Sequence, residues 1–169
     1  MSRPIAALAV LTCLALTAPA AGQDKPLSTT TLVIETTHGP HTFRVEIAAD
    51  AASQERGLMY RKQMAPDVGM VFDFHRPQME AFWMKNTVLP LDMIFIRQNG
   101  TISSIAPDAV PFSTTTIPSV EPVRAVLELN GGRAAALGIE PDQVVHNAMF
   151  GNALPGQPKD CSTAACNPR

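Results

Sequence analysis

The chain has 169 residues, 46 % of them hydrophobic and 17 % charged, with 13 Lys and Arg against 15 Asp and Glu and a net charge of −2. That length suits one core and one domain rather than two. No basic block of the kind that neutralises phosphates is present, which argues against nucleic acid as a partner.

The first segment, MSRPIAALAVLTCLALTAPAAGQ, sets one Arg before an apolar run from Ile5 to Leu16 and small residues around Ala18-Pro19-Ala20. This is the layout of an export signal over residues 1–22, and the run is too short for a comfortable membrane span. Thr12 ahead of Cys13 is not the small residue a lipoprotein signal needs. The protein is therefore expected to be exported, periplasmic or secreted, with no membrane span once the leader is removed. A linker over 23–30 should lead to a single β domain over 31–150, followed by a Pro-rich tail over 151–169.

Two strands are expected in TTTLVIETTHGPHTFRVEIA around His38-Gly39-Pro40, because Phe43, Val45 and Ile47 alternate with Arg44 and Glu46. Asp50 is a natural N-cap for the short helix AASQER, which Gly57 would end. GMVFDF and AFWMK are compact apolar runs that read as buried strands. LDMIFIRQNGTISSIA predicts a hairpin with a two-residue type I′ turn at Asn99-Gly100. Beyond it come a strand from Val123 to Leu129, a helical turn in GGRAAALG stopped by Gly138, and a last strand in DQVVHNAMF. Seven or so short strands with two small helices predict a mainly β fold, a single antiparallel sandwich or barrel-like domain.

Recognised catalytic motifs are absent from the sequence: there is no GxSxG elbow, Walker loop or HExxH, and no cofactor is called for. His38 and His41 could clip a metal across their turn, but two ligands are too few for a usual site, and no metal is expected. Met59, Met64, Met70, Met79, Met84 and Met93 are soft potential ligands, yet their apolar neighbours favour core packing. Cys161 and Cys166 would pair in an oxidising compartment and close only a small loop.

The stretch AFWMKNTVLPLD, with Arg56, supplies the candidate site: Arg56, Trp83, Lys85, Asn86, Thr87 and Asp92. In one reading Trp83 forms an apolar wall and the cations hold an anionic or hydroxylated small molecule, carbohydrate included. In the other, Lys85 and Asp92 form an ion pair and Asn86 satisfies a turn. An envelope hydrolase or lyase would use Asp92 as base with Lys85 tuning it, or pair Asp92 with Glu80, Glu46 or Asp73 in the manner of a glycosidase. A structural or partner-binding protein is the third class, recognisable by an exposed apolar patch.

RGLMYR, GMVFDF and FWMKNTVLPLD, in this order, resemble the family catalogued as domain of unknown function 192, over roughly Leu32 to Val145. VLELNGGRAAALGI matches it more weakly, and Pro141-Asp142 stands where relatives tend to have Gly-Asp. The resemblance implies one mainly antiparallel β domain with small helices, often behind an export signal, and no established activity. Its pattern falls on Arg56, Gly57, Met59 and Arg61, on Gly69 and Met70, on Trp83 to Thr87, and on Pro90, Leu91 and Asp92.

Overall fold

The computed structural model describes residues 26–157; the expected leader and the pair Cys161 and Cys166 lie outside that range. Mainly β structure forms, as the sequence predicts, and of the two forms expected it is the barrel-like one: a single curled sheet, a half-barrel, with two short helices. Its strands are β1 (Thr29–Thr36), β2 (Gly39–Ala48), β3 (Val68–Gln78), β5 (Leu91–Ile96), β6 (Ile102–Ala109), β8 (Val123–Asn130) and β9 (Val145–His146). They lie in the order β6-β5-β8-β3-β2-β1-β9. A small ribbon of β4 (Ala81–Phe82) and β7 (Ile117–Pro118) stands apart. Among the described residues no helix is long and apolar enough to cross a membrane.

Most pairs are antiparallel; β2 and β3 run parallel, with Glu46 beside Met70. A parallel pair needs a crossover, and α1 (Ala51–Arg56) provides it. Asp50 caps that helix as expected: its Oδ1 accepts from Ser53 N at 2.9 Å, and Ser53 Oγ accepts from Asp50 N at 3.2 Å. Gly57 ends it with φ at +47°, in the region that favours glycine. A β-carbon there would come 3.1 Å from the ring of Phe72, so the turn is also tight against the sheet.

Strand alternation gives the sheet two apolar layers. One is mainly aliphatic, built on Leu32, Ile34, Val45, Val71, Ile94, Leu127 and Leu129 with Phe43, and it takes up Ala134 of α2 (Arg133–Leu137). The second holds Met70, Met84, Met93, Phe72 and Phe95 beneath α1 and its following loop, with Leu58 buried among them. Phe82 sits edge-on to Phe72 and Phe95, at 5.0 and 6.2 Å between ring centres. Met70, Met84 and Met93 are thus core thioethers, as their neighbours predict, whereas Met79 is 60 % exposed.

Three local expectations are corrected. AFWMK is a strand only at Ala81–Phe82: Met84 N donates to Ser113 O, and the chain then turns through Asn86, whose φ is +58°. At Asn99-Gly100 the hairpin forms, but only Gly100 is left-handed. Gly100 N donates to Arg97 O and Arg97 N to Thr101 O, so the loop is longer than a type I′ turn. The last strand is just Val145–His146, because Asn147 accepts from Met149 N with its side chain and bends the chain into a 3-10 turn over Ala148–Phe150.

Candidate functional site

A cleft of about 380 Å³ opens between α1 and the neighbouring strands, lined by Leu27, Glu46, Asp50, Ser53, Arg56, Gly57, Arg61 and Met70 among others. That size falls within the range of small-molecule sites. RGLMYR builds its rim. Gly57 reverses the chain, so that Arg56 and Arg61 flank one opening. Arg61 grips Glu46 with two parallel bonds of 2.9 and 2.7 Å, the fork geometry that fixes a guanidinium firmly. Asp50, beside them, has its carboxyl held below its usual range by the backbone N–H of Ser53.

The floor is a row of side chains across the sheet. Glu46 on β2 is level with Met70 on β3, Met70 with Glu128 on β8, and Glu128 with Met93 on β5. Residues level with one another face the same side, so Glu128 lies on the cleft side of the sheet, one strand beyond the lining residue Met70. It is 4 % exposed, and burial pushes its carboxyl up to about 8. Among the described residues no hydrogen bond or ion pair reaches that carboxyl. Asn130, two residues on, donates to the carbonyls of Met64 and Ala65, tying the loop after α1 down over this face.

The six residues singled out from the sequence are divided by the fold. Arg56 lines the cleft. Trp83 and Lys85 meet on the surface, with Nζ 5.2 Å from the ring centre, a cation–π contact. Asn86 is a turn residue: its carbonyl accepts from Tyr60 N at 2.9 Å and its amide approaches Met59 Sδ at 3.8 Å. Thr87 is buried, and its hydroxyl donates to Lys85 O. Asp92 lies on the aliphatic side, wholly buried, and no ion pair joins it to Lys85. Its Oδ1 accepts from Asp108 N and Gly132 N at 2.9 and 3.0 Å, and its Oδ2 from Ala134 N at 2.6 Å. Gly132 has no side chain to cap α2, and Asp92 supplies that acceptor from the neighbouring strand.

Glu128 and the Glu46–Arg61 pair were not singled out from the sequence. The signal for Glu128 was present: it is the one charge in the apolar run AVLEL. From the sequence, Glu46 is a candidate only as a carboxylate partner for Asp92, which lies on the opposite side of the sheet, and its pairing with Arg61 is not foreseen there.

The profile of one protein family matches residues 33–147, from within β1 through β9. This chain belongs to DUF192. The family is described as an uncharacterised ACR. Among curated proteins none matches. Two solved structures are similar to this DUF192 domain. A Sinorhizobium meliloti 1021 protein, provisionally described as a transcription regulator, is 45 % identical with a TM-score of 0.73, over 75 % of this chain and 99 % of that one. A Novosphingobium aromaticivorans DSM 12444 protein of unknown function is 42 % identical with a TM-score of 0.70, over 76 % of this chain and 89 % of that one.

Proposed function

We propose that this DUF192 domain is an exported binding module for a small anionic or hydroxylated ligand, held in the cleft between α1 and the β2–β3 pair. The observation that carries the reading is the convergence there of Arg56, Arg61, Glu46 and Ser53 over an apolar floor containing Met70. A few fixed polar groups over an apolar bed are the usual make-up of a small-molecule site. The leader-like residues 1–22 support export. Asp92 draws no support as a catalytic base, since both its oxygens accept backbone N–H groups out of reach of solvent.

The test is an NMR amide titration of the purified protein with glycerol, D-glucose, N-acetyl-D-glucosamine, succinate and inorganic phosphate. At least one probe should move the Ser53, Gly57 and Arg61 amides in a saturable way. Shifts confined to Trp83–Thr87, or none in the cleft with any probe, would overturn this assignment.

A further inference from the structure

A carboxyl buried among thioethers without a donor is costly to the fold, and an isosteric apolar residue would pack there at lower cost. Glu128 comes close to that case, 4 % exposed and with no donor among the described residues, level with Met70 on one side and Met93 on the other. It is separated from the open cleft by a single side chain, Met70, whose unbranched thioether changes rotamer easily. Two strand spacings, about 10 Å, lie between the backbones of Glu128 and Glu46, a span that a sugar-sized molecule covers. The cleft lining has two guanidiniums, Arg56 and Arg61, and two carboxylates, Glu46 and Asp50, so neither sign is in excess.

We propose that Glu128 is the inner hydrogen-bonding group of the cleft, its carboxylic acid O–H donating to an oxygen of an uncharged, hydroxylated ligand whose apolar face rests on Met70. This rests on the reading of the cleft as a small-ligand site. The balance of charge at the rim selects a neutral polyol or sugar over an anion, and the acid at the inner end sets its orientation. Burial supports the same state, because it keeps the proton on Glu128 up to about pH 8. Facing this group are Met70 and Phe72 from β3, Met93 and Phe95 from β5, and Val126 and Asn130 on its own strand. The charges farther out on that side are Arg44 and Glu46 on β2, Asp50, Glu55 and Arg56 around α1, Arg61, and, toward the other end of β8, Arg124 paired with Asp73 beside His75, which reaches Ala49 O just before α1.

Calorimetric titration with glycerol, D-glucose and N-acetyl-D-glucosamine, and with succinate as the anionic counter-probe, tests the proposal on wild type, Glu128→Gln and Glu128→Met. The neutral probe that binds wild type should bind about tenfold more weakly at pH 9 than at pH 7, as the acid gives up its proton. Glu128→Gln keeps a donor and should bind with no such pH dependence. Glu128→Met should lose at least about tenfold in affinity. Unchanged neutral-probe affinity in Glu128→Met, or a wild-type affinity that does not fall at pH 9, refutes the role of Glu128. If Glu128→Met does not fold, the pH profiles of wild type and Glu128→Gln decide alone. Succinate binding that Glu128→Met leaves intact refutes this role while the cleft reading stands, whereas no binding of any probe to wild type overturns both.

Discussion

Two buried carboxyls on neighbouring strands face opposite sides of this sheet, and their surroundings could hardly differ more. Asp92 on β5 meets three backbone N–H groups on the aliphatic side, closing the end of α2. Glu128 on β8, level with Met93 beside it, meets thioethers and rings on the other side. Depth is the same for both, 0 % and 4 % exposed, so burial alone does not distinguish a structural acid from one held in reserve. The supply of donors does. Where the fold provides N–H groups, the carboxylate is an internal cap; where it provides none, the acid keeps its proton and its hydrogen-bonding capacity is left for something else.

The sharpest way to break that contrast is to remove Asp92. Asp92→Ala removes the acceptor of three backbone N–H groups, that of Ala134 buried and those of Asp108 and Gly132 part-buried, and at about 1–3 kcal/mol for each group left without a partner should lose roughly 3–5 kcal/mol of stability in urea unfolding. A loss below about 1 kcal/mol would mean that water replaces the carboxylate, and the contrast would collapse.

Glu128 should behave in the opposite sense, and pH reveals it. Its folded carboxyl titrates near 8 against an ordinary value of 4.5, so between those limits the folded state binds more protons than the unfolded chain. Stability therefore falls as pH rises through that window, by at most about 1.4 kcal/mol per unit from this group. Glu128→Gln removes the dependence. Relative to wild type it should gain on the order of 2–4 kcal/mol between pH 5 and pH 8 in denaturant titrations. Parallel curves would show that the acid finds a donor the contrast does not allow for.

Smallest of all is the effect expected at Lys85. Its ammonium rests over Trp83 in solvent, so Lys85→Ala should change stability by only about 0.5 kcal/mol. In a double-mutant cycle with Asp92→Ala the two changes should add to within about 0.5 kcal/mol. Strong coupling would restore the ion pair between them that the sequence allows and the fold keeps apart.

What could be read from the sequence was local. Asp50 and Gly57 mark both ends of α1 because capping is decided within a turn or so of chain, and the β1–β2 hairpin follows from alternation on either side of Gly39. The role of Asp92 was out of reach: its partners are 16, 40 and 42 residues away, and no pattern within LPLD points to them. AFWMK misled for a related reason, since Met84 is an apolar anchor for a turn rather than a strand residue, with its backbone held by Ser113. The parallel pairing of β2 and β3 was equally hidden, because alternation identifies a strand without naming its neighbour. Glu128 was legible as a lone charge in an apolar strand, but the thioethers on both sides of it come from other strands.

The short segment around β9 touches both rims of the curled sheet. Val33 and Ile34 of β1 pair with His146 and Val145 on one side, where Glu35 N donates to Val144 O, and on the other Ile102 N donates to Gln143 O while Val145 N donates to Gly100 O. Until those residues emerge from the ribosome, β1 and the start of β6 are unsealed strands, each a template for pairing with another chain. The first strand must wait for partners more than a hundred residues later, the kind of distant closure that slows folding. The growing chain thus has its sheet unfinished until β9 is made, open to mispairing with copies of itself, and the β9 segment acts as the clasp.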